Sequence, residues 1–140
     1  MDPQLFVNAV SLIQQYAPEH SIYIISRYDD LLPALAGKYT AMPYNELLTN
    51  LLTSNDVTHV ADVMKQKKPH YIFVDTDIAR SFNNEIYHPD DVLAKRYQLN
   101  MYSRDRVSTL NNIKLLYDRI RGDYKVAAKS ELITVYERIS

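Results

Sequence analysis

Two short apolar runs constrain this chain more than any other feature: Ser21-Ile22-Tyr23-Ile24-Ile25-Ser26 and Tyr71-Ile72-Phe73-Val74. Neither alternates apolar with polar residues, so each reads as a strand covered on both faces. Between them, residues 27–70 carry helical rather than strand periodicity. Two doubly covered strands joined through helices imply a parallel pair, because a parallel neighbour needs a long crossover. The closing stretches Tyr124 to Ala128 and Leu132 to Ile139, around Lys129-Ser130, read as an antiparallel hairpin. The expected architecture is a single α/β domain over residues 1–140, a small mixed sheet flanked by helices in a three-layer arrangement.

The helices announce themselves by their ends. Asp2-Pro3 supplies an N-cap and a proline at the first helical position, and Leu5, Ala9, Leu12, Ile13 and Tyr16 follow at helical spacing. Asp29 and Asp30 stand at the acidic start of a short helix that Gly37 stops. A second short helix is expected from Tyr44 to Leu52. A third starts at Ser54 or Asn55, carries Val57, Val60, Ala61, Val63 and Met64 as its stripe, and halts before Pro69. The last helix starts at Ser103 or Asp105, with Val107, Leu110, Ile113, Leu116, Tyr117 and Ile120 on one side, and ends at Gly122. Residues 81 to 103 lack periodicity and read as a long loop of the kind that carries function or mobility.

Composition closes several routes to activity. The chain has no cysteine, which removes disulfides, cysteine zinc sites and thiol chemistry. Only 2 glycines among 140 residues argue against a Gly-rich phosphate cradle. A net charge of −1 offers no field for nucleic acid, so no nucleic-acid partner is expected. Histidines 20, 59, 70 and 88 show no ligand spacing, and neither a metal site nor a cofactor is expected from them. No serine elbow occurs. No apolar run is long enough to span a bilayer, and no signal peptide is evident.

Chemistry-bearing residues gather after each core strand. Asp75 and Asp77 follow the second, at the carboxyl end where open α/β sheets place ligands. If strand geometry persists, the two carboxylates project from one face and can share a cation. That pattern resembles the Asp-x-Asp of nucleotide-sugar glycosyltransferases, and would suit a stand-alone metal-dependent nucleotide-sugar or phosphate enzyme. The competing reading has one Asp capping the next turn and the other solvated. Ser26, Arg27 and Asp29 follow the first strand at the equivalent end, and an arginine there can clamp phosphate or carboxylate. Ser26, Arg27, Asp29, Asp75 and Asp77 are thus the candidate ligand-binding residues, with none assigned as catalytic. Lys95, Arg96, Arg104 and Arg106, interleaved with Tyr97 and Tyr102, form the one cluster suited to an anionic surface. The Tyr-rich stretch between Phe82 and Tyr102 would be the contact surface of a protein-interaction module.

A broader resemblance rests on the order of segments. "YIISRYDDLLPALAGKYTAMPY", then a helix ending in "KKPHYIFVD", a variable stretch, a helix and "DYKVAAKSELITVYER" are similar to one family's layout. It is the soluble C-terminal region after the last transmembrane helix of bacterial membrane-embedded glycosyltransferases. These are GT-C type enzymes that use polyprenol-phosphate sugars. The counterparts are Ile22 to Ser26, Lys68 to Asp75 and Tyr124 to Arg138. The resemblance implies a non-catalytic domain at the extracytoplasmic face of the bacterial cytoplasmic membrane, with a cytoplasmic stand-alone protein as the alternative. Its partners would be the membrane domain of the same polypeptide and a glycan or lipid-phosphate of the cell envelope, which it would bind or orient. The family's catalytic Asp lies in a loop of that membrane domain, so no catalytic residue carries over to this chain.

Overall fold

Around Tyr71–Asp75 the chain builds its sheet. A computed structural model describes residues 2–26, 28–42, 54–82 and 103–139, with the backbone course alone for residues 54, 81, 82 and 103–110. The expected helix at 44–52, Arg27, and the Tyr-rich stretch with Lys95, Arg96, Tyr97 and Tyr102 lie outside the described residues. The elements are α1 (Pro3–Tyr16), β1 (Ser21–Ile22), β2 (Ile24–Ile25), α2 (Leu31–Leu35), β3 (Tyr39–Thr40), α3 (Ser54–Lys67), β4 (Tyr71–Asp75), α4 (Thr76–Phe82) and α5 (Ser103–Ile120). A 3-10 turn (Arg121–Asp123) leads into β5 (Tyr124–Lys129) and β6 (Ile133–Arg138).

The main sheet has the order β2-β4-β6-β5. β2 runs parallel to β4, with Ile24 opposite Phe73 and Ile25 opposite Val74. β6 pairs antiparallel with β4 and with β5, and a bulge between Val126 and Ala128 interrupts the outer pairing. The first apolar run serves two sheets, because β1 pairs with β3 while β2, one residue on, pairs with β4. The expected parallel pair, hairpin and mixed sheet are all present.

Side chains alternate across the sheet and explain why β2 and the Ile72-Phe73-Val74 run of β4 are apolar throughout. Ile25, Ile72, Val74 and Tyr136 enter the core made with α3 and α5, beside Val57, Val60, Met64, Ile113, Leu116 and Tyr117. Ile24, Phe73, Ile133 and Val135 enter the core made with α1 and α2, beside Ala9, Ile13 and Leu32. With a period of two along β2 and β4, neither face of these strands is left for water. Helices therefore cover both sides, giving the three layers expected. Across the α5 side the Tyr117 and Tyr136 hydroxyls lie 2.8 Å apart, so two buried phenols satisfy each other.

The helix ends behave as their residues require. Asp2 caps α1 by accepting the Gln4 N–H at 2.9 Å, and Gly37 (φ 72°) follows α2. Asp30 holds the N-cap position of α2 but its side chain makes no cap bond. Two departures from expectation concern residues after β4 and β2. Helix α4 occupies Thr76–Phe82, where no helix was expected and a loop was to begin at residue 81; α5 starts at Ser103, one of the two starts expected. β3 at Tyr39–Thr40 is too short for strand periodicity to mark it.

Two variants separate core from surface. Phe73 is 1% exposed and Val126 is 56% exposed. Phe73→Ala is expected to cost about 3–5 kcal/mol of unfolding free energy in urea titration, and Val126→Ala less than about 0.5 kcal/mol. A pH titration tests the Tyr124 phenol, which donates to the Pro69 carbonyl at 2.7 Å. Burial pushes its pKa up, with Asp123 and Tyr23 adding to the rise and Arg138 opposing it. The folded state therefore favours the protonated phenol. Its contribution is complete below about pH 10, the ordinary tyrosine value, and is lost as pH rises through the higher folded value. Tyr124→Phe is expected to flatten the fall of stability above about pH 10 without abolishing it, since Tyr23 is raised as well.

Candidate functional site at the carboxyl ends of the parallel strands

Ser26, Asp29, Asp75 and Asp77 all lie where the parallel strands end, and all are buried. Three of them form one hydrogen-bonded unit. Asp75, the last residue of β4, immediately precedes α4 and accepts the Asp77 N–H on Oδ1 at 3.0 Å. That is an N-cap bond, which satisfies one of the four amides that a helix start leaves open. The Ser26 hydroxyl donates to the other carboxylate oxygen, Oδ2, at 3.3 Å, and accepts the Tyr28 N–H at 3.0 Å. One carboxylate thus ties the turn after β2 to the start of α4.

Asp77 takes a different part. It sits in the first turn of α4, where the helix dipole favours negative charge, and pairs with Arg80 one turn on. The alternation that would place both carboxylates on one face fails because the backbone turns helical at Thr76. Asp75 faces back to the cap while Asp77 faces Arg80. Of the two sequence readings, capping describes Asp75; Asp77 is buried and paired rather than solvated. Among the described residues, no group of three or more His, Asp or Glu side chains is placed to hold a metal ion.

Thr76, between the two aspartates, is the residue the motif reading passed over. Its hydroxyl donates to the Ser130 carbonyl at 2.8 Å and lies 2.9 Å from the Thr134 hydroxyl. With the Thr76 proton committed to Ser130, Thr134 is the donor of that second bond. The Thr76 N–H also donates to the Leu132 carbonyl at 3.0 Å. The start of α4 is therefore stitched to the β5–β6 hairpin, which Ser130 itself closes by accepting the Ile133 N–H at 3.1 Å.

This junction walls an open polar cleft of about 580 Å³ lined by Thr76, Asp77, Arg80, Lys129, Ser130 and Glu131. Of the candidate residues only Asp77 lines it. Ser26 and Asp75 lie behind it as supports, Asp29 is buried in the turn that leads to α2, and Arg27 lies outside the described residues. Lys129, Ser130 and Glu131 belong to the hairpin turn, and the signal that could have found them is that a tight turn must end beside the neighbouring strand's exit. The two acids and two bases around the cleft give it mixed charge and the capacity for several hydrogen bonds.

Asp75→Ala is expected to lose both the cap and the Ser26 acceptor, about 2–4 kcal/mol in chemical denaturation. Asp75→Asn keeps an acceptor for the Asp77 N–H and is expected to lose less. Mg²⁺ or Mn²⁺ is expected to leave the Tm of the unsubstituted protein unchanged, since the cap already occupies Asp75. Against known protein families, curated proteins and solved structures, the chain finds no match.

Proposed function

We propose that this domain is a non-catalytic binding module of a membrane glycosyltransferase, acting in cell-envelope glycan or lipid glycosylation at the extracytoplasmic face of the cytoplasmic membrane. Its work is to hold or orient a glycan, a lipid-phosphate or the membrane domain of its own polypeptide. The observation that carries the non-catalytic reading is the use made of Asp75 and Asp77: one caps α4 and holds Ser26, the other pairs with Arg80. An acid, base or metal ligand must present its oxygens to a substrate, and these oxygens are turned to the protein's own backbone and side chains. The cleft beside them is lined by acids, bases and hydroxyl-bearing residues, suited to holding polar matter in place.

The membrane assignment rests on the resemblance in segment order. Among the described residues no helix is long and apolar enough to cross a membrane.

Cell fractionation tests this reading. An antibody raised against the domain is expected to detect, in membranes of the source organism, a polypeptide larger than the 16.3 kDa of this chain. Protease added to spheroplasts is expected to destroy the signal. A cytosolic band of the chain's own size, protected from that protease, overturns it.

A further inference from the structure

The two helix layers differ in charge. Asp62, Lys65 and Lys67 on α3 and Asp118 and Arg119 on α5 are exposed, the usual outer surface of a solvated helix. The 14 residues of α1 and the 5 of α2 include no charged side chain, in a chain that is 24% charged. Yet α1 leaves Gln4, Val7, Ser11 and Gln14 exposed, in the alternating steps of three and four residues that make a helix–helix seam. Beside them Leu31 and Leu35 of α2 are 45% and 52% exposed. Loss of charge around exposed apolar residues marks the core of an interface. We infer that this face is a homodimer contact, in which α1 packs antiparallel against α1 of a second copy across a two-fold axis.

The charges at the rim select a second copy. Helices α1 and α2 run side by side in the same direction. The Phe6 ring meets Tyr28 at 5.1 Å just before α2, and the Gln14 amide donates to the Ala36 carbonyl just after it at 3.5 Å. At the starting end stand Asp2 and Asp30, the two N-cap residues. At the finishing end the Lys38 ammonium donates to the Ala17 carbonyl at 3.0 Å and to the Glu19 carbonyl at 2.7 Å. The Glu19 side chain is turned elsewhere. It lines an aromatic pocket of about 400 Å³ with Tyr16, Tyr23 and Tyr71, where Lys67 and Lys68 form another wall. Burial, and then the Glu19 charge, push the Tyr23 pKa upward, and Tyr23 packs on the core made with α3 and α5. The face is thus acidic at one end and basic at the other. Its complement is the same face turned end over end, with Asp2 and Asp30 of each copy meeting Lys38 of the other. The helix dipoles then oppose as well. Since α1 is about 21 Å long, the like charges of the two copies stand more than a screening length apart.

The seam residues are also self-complementary. Antiparallel register that brings Asp2 to the end of the second α1 sets Gln4 opposite Gln14 and Val7 opposite Ser11 of the other copy. Primary amides donate and accept, so they bond in pairs, and the small Ser11 lets the helices approach. The same groups argue against a lipid surface as the occupant. Hydrocarbon would leave the exposed amides of Gln4, Asn8, Gln14 and Gln15 without partners, and neither helix offers a Lys or Arg to headgroups. The contact uses neither the polar cleft nor the membrane role proposed above, so each stands or falls separately.

The test is sedimentation velocity of this chain up to about 500 μM, a range suited to small, transient interfaces. The mass is expected to rise with concentration from 16.3 kDa toward twice that value. Ser11 is exposed, so Ser11→Lys and Ser11→Glu are expected to keep the circular dichroism spectrum and Tm. Each alone is expected to weaken dimerisation by about tenfold or more, since the two-fold axis sets position 11 near its own copy. An equimolar mixture of the two is expected to restore the dimer. Leu115→Lys, at a residue 44% exposed on α5, is expected to change nothing. A monomer at every concentration, a dimer that survives both Ser11 variants, a mixture that stays monomeric, or a dimer lost in Leu115→Lys would overturn the proposal. So would flotation with phosphatidylcholine or phosphatidylglycerol vesicles that Ser11→Glu abolishes, which would assign the face to a membrane.

Discussion

The central strand β4 is the constraint on which everything else hangs. It is hydrogen-bonded to a neighbour on each side and covered by helices on each face. Ile72, Phe73 and Val74 are each at most 2% exposed. A strand so placed has no polar face, which is why the sequence there cannot alternate and why both faces need helices. It also decides where chemistry can go. With both sides and both faces taken, only the two ends of β4 are open, and the polar cleft and the aromatic pocket lie at those ends.

How much of this could be read from residues alone depends on how locally each element is determined. The doubly covered strands, α1, α3, the long helix α5 that stops just before Gly122 and the hairpin follow from periodicity and end signals spread over many residues. α4 did not, because seven residues of Thr-Asp-Ile-Ala-Arg-Ser-Phe carry barely two turns of pattern. Its start is marked by an acid that also reads as a metal ligand. The same two letters, Asp-x-Asp, serve a shared cation if the backbone stays extended and a cap plus an ion pair if it turns helical. Only the φ/ψ change at Thr76 decides between them, and that change is enforced from far along the chain by Ser130, Leu132 and Thr134. β3 was invisible for a related reason: two residues of pairing have no period.

The aromatic pocket illustrates the limit from the other side. Its residues come from two separated stretches, 16–23 and 67–73, neither with a recognisable motif, and convergence is a property of topology. The lysines at the end of α3 were legible, but as partners of a helix dipole. In the fold they keep that role while also forming one wall of a cavity.

The bulge between Val126 and Ala128 sets how this molecule can associate with others. β5 is the outer strand of the hairpin, and an interrupted, bent edge makes a poor template for an incoming strand. β2, at the other margin of the main sheet, is only two residues long. Neither border therefore offers a straight row of amides and carbonyls along which copies could extend into a continuous sheet. Crowding many such domains together therefore disfavours edge-to-edge pairing through the main sheet and leaves contact to side-chain surfaces and helices.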